Sequence, residues 1–212
     1  KITSKSGKIL FVGTKKQASN LVEDIAKKTE QFYITKRWFG GTLTNWNTIS
    51  NSIKRLESLE KRIREEEQKL SKKELLNLNR EIDKLNNAIG GIRTMSSLPD
   101  LLIVLDTLKD KIAVQEANKL KIPVMGVVDT NSEPGSIDYP IPGNDDANRS
   151  INLYINLFAE TILDAKKNIQ TKTDIGEALN PPKESNLNKE TENKKNLKNS
   201  KNNSKKVSKV KK

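Results

Sequence analysis

The chain has 212 residues, enough for one domain with a substantial core and some additional segments. It contains no Cys and no His, which excludes disulfides, thiolate nucleophiles, His general bases and the common zinc sites. Its 39 Lys and Arg exceed its 27 Asp and Glu, and the resulting net charge of +12 favours a polyanionic partner. We find neither a signal-peptide pattern nor an apolar run near the ~18 residues of a membrane span, so we expect a soluble, cytoplasmic protein.

The excess positive charge is concentrated at the C-terminus. Residues 183–212 contain 11 Lys and 3 Glu, a surplus of 8, which leaves a surplus of only 4 for residues 1–182. A polyanion-binding face on the folded part must therefore come from local clustering of cations.

Short apolar runs alternate with amphipathic helical patterns in two parts of the chain. The predicted strands cover residues 8–13, 32–34, 101–105, 123–128 and 137–141. Helices are predicted at 15–29, at 110–120, and after a cap at Asn144 or Asp145. This alternation predicts an α/β fold with a doubly wound parallel sheet.

A segment of different character lies between the two parts. Apolar residues recur at steps of three and four from Trp46 to Ile63 and from Leu75 to Ile89, which predicts two helices with heptad-like stripes. The sequence Ser71-Lys-Lys-Glu74 is a capping box that predicts the start of the second helix. We therefore expect an antiparallel coiled-coil hairpin inserted into the α/β domain.

The predicted organisation has three parts. Residues 1–45 and 91–170 form the α/β domain, and residues 46–90 form the coiled-coil insertion. Residues 171–212 lose apolar periodicity and become rich in Lys and Asn, a composition that predicts a disordered basic tail.

In a doubly wound sheet, ligands bind beyond the carboxyl ends of the strands. Lys15 and Lys16 follow the first strand and could contact a phosphate at a helix N-terminus, or form an ordinary solvated first turn. Neither the dinucleotide-binding nor the P-loop glycine motif occurs, so we expect no cofactor. Asp106 and Asp129 follow two later strands, where carboxylates usually cap the next turn. A small α/β enzyme that uses both as metal ligands or as acid and base is the alternative; otherwise we expect no metal site.

The segment 35–46 joins cations, aromatic rings, glycines and small polar side chains outside any regular periodicity. This mixture suits RNA, because cations and polar donors engage phosphates and 2′-hydroxyls, and glycines allow close backbone approach. The alternative for Trp38 and Phe39 is packing between the hairpin and the sheet. The candidate RNA-binding residues here are Lys36, Arg37, Trp38, Gly40, Gly41, Thr42, Thr44 and Asn45, joined by Lys54 and Arg55 on the first long helix.

Several motifs, in order, resemble the bacterial small-subunit ribosomal protein 2 family from residue 8 to about residue 165. The most discriminating is Arg37-Trp-Phe-Gly-Gly-Thr-Leu-Thr-Asn45. The others are Ile9-Leu-Phe-Val-Gly-Thr-Lys15, Ser52-Ile-Lys-Arg-Leu56, Leu98-Pro-Asp100, Ile122-Pro-Val124, Val128-Asp-Thr-Asn131 and Ile141-Pro-Gly-Asn-Asp-Asp146.

The resemblance implies a Rossmann-like or flavodoxin-like domain with a protruding coiled coil and no catalysis. It implies binding to 16S rRNA where the head of the small subunit meets the body, beside other small-subunit proteins. These include the largest one, protein 1, where it is present. Family members begin with a further N-terminal segment that carries a His-rich motif, and this chain starts after it. We expect no counterpart here of the RNA contacts or metal site of that segment, and a sheet that lacks a strand.

Overall fold

The computed structural model of the chain describes residues 2–66 and 69–178. These residues form one parallel sheet in the order β2-β1-β3-β4-β5. The strands are β1 (Ile9–Val12), β2 (Phe32–Ile34), β3 (Leu101–Val104), β4 (Val124–Val128) and β5 (Tyr139–Pro142). This is the strand order of flavodoxin-like doubly wound folds. The predicted α/β class with a parallel sheet is confirmed.

Five α-helices are described. They are α1 (Lys16–Lys28), α2 (Trp46–Glu66), α3 (Lys72–Ile89), α4 (Lys111–Lys119) and α5 (Asn148–Ala178), and short 3-10 turns lie at Thr3–Lys5, Gly90–Ile92 and Pro134–Ser136. In the described part of the chain, no helix has the length and apolar character that crossing a membrane requires.

Both faces of the sheet are covered, because alternate residues of each strand point to opposite sides. Leu10 and Val12 of β1 belong to a buried cluster that contains residues of α4 and the sheet-proximal ends of α2 and α3. Ile9 and Phe11 belong to a second cluster, with residues of α1 and α5. All four residues of β1 are buried, as the continuous apolar run predicts.

Helices α2 and α3 contact each other. Ser71 caps α3, since its hydroxyl accepts a hydrogen bond from the Glu74 N–H and the Glu74 carboxylate accepts one from the Ser71 N–H. The predicted capping box is therefore confirmed. The apolar stripe of each helix is buried or half-buried.

The last helix extends beyond the boundary predicted at residue 171, since α5 ends at Ala178. Asn144 precedes it, and its side-chain oxygen accepts hydrogen bonds from the N–H groups of Asp146 and Ala147. The remainder of the predicted tail, 179–212, lies outside the described residues.

Gly91 lies where α3 returns to the sheet, in close contact with β2. A Cβ atom at this position would collide with the backbone oxygen of Tyr33 and lie 2.7 Å from its ring. Backbone cannot move aside as a flexible side chain can, so only glycine fits here.

Substitution of Gly91 by Ala tests this contact. We expect Gly91→Ala to lower the free energy of unfolding by about 2–3 kcal/mol, the cost of overpacking a contact that cannot relax. Gly40→Ala is the matched control, because a Cβ there meets no atom within 4 Å. Urea denaturation followed by circular dichroism measures both, and equal losses would contradict the close packing at Gly91.

Candidate nucleic-acid interface

The carboxyl edge of the sheet is taken up by an internal ion-pair cluster around Lys15. The Lys15 ammonium lies 3.0 Å from Asp106 Oδ2, 2.8 Å from Asp145 Oδ1 and 2.7 Å from Asp146 Oδ1. The pairing of β1 with β3, of β3 with β4 and of β4 with β5 brings these chain segments to one edge, as in other doubly wound sheets.

Burial and charge act in opposite directions in this cluster. Burial disfavours the charged form of Lys15, but its bonds to Asp145, Asp146 and Asp106 outweigh burial and raise the pKa of the ammonium. Burial raises the pKa of Asp145, and the bond to Lys15 opposes that shift. The three carboxylates thus hold a charged Lys15 inside the protein.

Asp106 and Asp129 both have structural partners. Asp106 Oδ1 accepts a hydrogen bond from the Lys109 N–H at 2.8 Å, besides the ion pair of Asp106 with Lys15. Asp129 accepts from the Thr130 N–H at 2.6 Å and from the Asp145 N–H at 3.3 Å, and these bonds lower its pKa. The expected capping role is confirmed for Asp106, whereas Asp129 bonds the residue after it and links β4 to the segment that follows β5.

The edge is unfavourable for a phosphate. Thr14, the residue before Lys15, donates its hydroxyl to Asp110 at 2.9 Å, so a fourth carboxylate adjoins the cluster. Lys15 is already bonded to three carboxylates, and of the two candidate cations here only Lys16 is exposed.

The same edge contains the atoms of a possible cation site. Asp129, Asp145 and Asp146 place carboxylate oxygens within 4.8 Å of one another. The Lys15 ammonium bonds two of these three residues and supplies positive charge of its own, so the carboxylates are compensated within the chain.

A second polar centre organises the loop before α2. We name residues 36–45 the 36–45 loop. The carboxylate of Glu116, on α4, accepts five hydrogen bonds from this loop. Its Oε1 accepts from Trp38 Nε1 at 3.1 Å and from the Gly41 N–H at 2.7 Å. Its Oε2 accepts from the Leu43 N–H at 2.9 Å and from the N–H and hydroxyl of Thr44, both at 3.0 Å.

Glu116 is only 7% exposed, yet it is held as a carboxylate. Burial alone would raise its pKa, but the hydrogen bonds from Thr44, Trp38, Gly41 and Leu43 outweigh it and lower the pKa. Sequence reasoning missed Glu116. The only signal in the sequence was that Glu116 lies on the same face of α4 as the buried residues Ala113 and Ala117. That pattern predicts burial of the glutamate but does not reveal which groups bond to it.

Within the 36–45 loop, the predicted RNA-binding residues fall into a buried group and an exposed group. Trp38 and Thr42 are buried, which supports for Trp38 the alternative of packing between elements, whereas Phe39 is 46% exposed. Gly41 has a φ of +93°, a conformation that favours glycine. The exposed members are Lys36, Arg37, Gly40, Thr44 and Asn45.

The neighbouring surface contains further cations and a cleft. Lys54 and Arg55 are exposed on α2, and Arg55 forms an ion pair with Glu81 of α3. A polar cleft of about 140 Å³ adjoins Lys36 and is also lined by Asn86 and Asn87 of α3. Its volume is below the roughly 300–1,000 Å³ of small-molecule sites, and Glu23 also contributes to its lining.

The fold and these two regions define a class: a doubly wound α/β protein with an ion-paired sheet edge and an ordered basic loop on its surface. A family model described as ribosomal protein S2 matches residues 1–165. The chain belongs to the ribosomal protein S2 family.

Individual relatives agree with the family match. The small ribosomal subunit protein uS2 of Bartonella henselae is 51% identical over 181 residues, which cover 84% of this chain and 70% of the relative. Proteins of the same name from Chelativorans sp. and Rhizobium rhizogenes are 52% and 49% identical, covering 86% and 87% of this chain and 69% and 73% of the relatives.

Family membership decides between the functional classes left open by the sequence. The family consists of structural ribosomal proteins, so the chain is a structural constituent of the ribosome rather than an α/β enzyme, and its location is the cytoplasmic ribosome. The resemblance inferred from the motifs is confirmed.

Glu116→Gln tests the carboxylate that holds the loop. The amide keeps the volume of the side chain but turns an NH₂ group toward N–H donors, so we expect the free energy of unfolding to fall by about 2–3 kcal/mol. Glu160→Gln, at an exposed position of α5, is the control and is expected to cost less than about 0.5 kcal/mol. Similar urea midpoints for the two variants would count against the role of Glu116.

The lowered pKa of Glu116 predicts a pH dependence of that difference. A carboxyl group whose folded pKa is below its unfolded value stabilises the fold above the unfolded pKa, and the stabilisation is lost as the pH falls through the folded pKa. The difference in free energy of unfolding between the unmutated chain and Glu116→Gln should therefore be constant near neutral pH. It should shrink as the pH falls below 4.5, the ordinary pKa of glutamate. Urea midpoints over a pH series measure it, and a gap that widens in acid would contradict the assignment.

Proposed function

We propose that the chain binds 16S rRNA through the 36–45 loop and the start of α2, which together form the proposed RNA face. The observation that carries this proposal is the ordered loop itself. It presents cations, an exposed ring and small polar groups on its outer side, while Glu116 takes up the donors on its inner side.

The cations of the loop are available to phosphates. Within residues 2–66 and 69–169, Lys36 and Arg37 are exposed and form no ion pair, whereas Lys15, Arg93 and Lys166 are bonded to carboxylates. An unpaired cation can exchange its counterions for RNA phosphates without first breaking an internal bond. Lys54 is a further exposed cation on α2, and within the part of the chain that the structure describes it forms no ion pair.

The remaining exposed groups suit RNA rather than a generic polyanion. Phe39 can pack on a base or a ribose, and the Asn45 amide can bond to 2′-hydroxyls. Gly40 has open space around its Cα, which allows close backbone approach. Among the predicted residues, the side chains of Trp38, Thr42, Thr44 and Lys15 bond within the chain, and Lys16 remains a separate candidate.

Three finer features rest on the family. We propose that the protein lies at the junction of head and body of the small subunit, next to protein 1 where that protein is present. We also propose that α2 and α3 form an antiparallel coiled coil. The stripe of apolar residues on each helix and the ion pair between Arg55 and Glu81 support this arrangement.

Paired substitutions test the proposed RNA face. We expect Lys36→Ala with Arg37→Ala to weaken association with small-subunit particles that lack this protein by about tenfold or more. We also expect the slope of log K against log salt to become about 1–2 less steep, because two phosphate contacts are lost. Binding by the full chain across a salt series measures both quantities.

Lys72→Ala with Lys73→Ala is the matched control. These lysines are also exposed and adjacent, but they lie in the first turn of α3, away from the loop. The control should retain nearly all of the affinity, and equal losses from both pairs would refute a dedicated RNA face in the 36–45 loop.

A further inference from the structure

Five donors of one loop converge on a single carboxylate that belongs to another element. These donors, on Trp38, Gly41, Leu43 and Thr44, form what we name the donor cradle. We infer that Glu116 is the positioning residue of the proposed RNA face: the 36–45 loop holds its RNA-binding shape only while a carboxylate fills the donor cradle. This inference rests on the proposed function.

The cradle needs an anion. It contains three backbone N–H groups, an indole N–H and a hydroxyl, and a carboxylate with two oxygens can accept from all of them. A neutral amide would supply one acceptor and place a donor against donors. Water could satisfy some of these groups but would leave the positive ends of several dipoles uncompensated.

RNA cannot fill the cradle itself. Glu116 is buried, and its two oxygens use the inward-facing donors of the loop. The groups left to RNA are on the other side, where Phe39 and Gly40 are exposed. Glu116 therefore acts through the loop and makes no contact with the ligand.

The rest of the loop depends on few local bonds. The Thr42 hydroxyl and N–H donate to the Phe39 oxygen at 2.6 and 3.1 Å, and the Asn45 N–H donates to the Gly41 oxygen at 2.8 Å. These bonds define turns within the loop, whereas the bonds to Glu116 attach the loop to α4 and thus to the sheet. Without the carboxylate the donors would be buried and unpaired, so the loop would rearrange, and RNA would have to order it again on binding.

Chemical rescue tests the inference. Glu116→Ala removes the end of the side chain, and acetate supplies nearly the same atoms. The chain contains 2 Trp and 3 Tyr, so a Trp46→Phe background leaves Trp38 as the only tryptophan. Its emission, excited at a wavelength that tyrosine does not absorb, reports whether the cradle is filled. The assay combines this emission with association of the full chain with small-subunit particles lacking it, in sodium acetate and in sodium chloride of equal ionic strength.

In chloride, Glu116→Ala is expected to shift the Trp38 emission and to weaken association about tenfold. Acetate should restore both signals in proportion, while it leaves the parent chain and a Glu160→Ala control unchanged. If the role of Glu116 were merely structural, acetate would restore the Trp38 emission without restoring association. If Glu116→Ala does not fold, Glu116→Gln replaces it in the association assay, and a folded Gln variant that binds as well as the parent would overturn the inference.

The other outcomes separate this inference from the proposed function. Normal association of a folded Glu116→Ala chain overturns the positioning role, and so does recovery of Trp38 emission without recovery of association. Failure of acetate to change either signal overturns the anion cradle. In each case, loss of binding by Lys36→Ala with Arg37→Ala still supports the RNA face, whereas normal binding by that pair removes the proposed function itself.

Discussion

Five hydrogen bonds to the Glu116 carboxylate attach the 36–45 loop, the surface proposed for RNA, to the rest of the domain. The loop before α2 belongs to no strand or helix, so no ladder of backbone bonds fixes its shape. A buried carboxylate supplies the missing acceptors and attaches the loop to α4. The start of α2 follows directly from this loop, and its residues Ile53, Trp46 and Ile49 pack against the core of the domain.

A half-buried lysine occupies the position at which related folds bind ligands. In doubly wound sheets this position is the crevice beyond the strand ends. Here Lys15 reaches into it and is bonded by Asp106, Asp145 and Asp146. The polar residues at this edge stabilise the turns and helix starts of the domain itself, and the surface proposed for RNA lies on the 36–45 loop.

The pattern of apolar and polar residues within short segments was sufficient to predict the secondary structure. Each strand and helix begins within a few residues of its predicted place, because apolar runs and helical periodicity are properties of short segments, although α5 ends beyond the predicted boundary. The capping box at Ser71 could also be predicted, since Ser71 and Glu74 lie within one helical turn. Among the candidate site residues, exposure of Lys36 and Arg37 agrees with their proposed role, whereas Trp38 and Lys15 have internal partners that no local pattern reveals.

The sequence by itself determined the alternation of strands and helices, the family and the basic, aromatic and glycine-rich character of the loop. Only the tertiary structure decided which of those loop residues face solvent and which charges are neutralised inside. The physical reason is sequence distance: Glu116 lies 72 to 78 residues from the donors it accepts, and Lys15 lies 130 residues from Asp145. A carboxylate becomes an internal acceptor only when the packing of the sheet brings it to its partners.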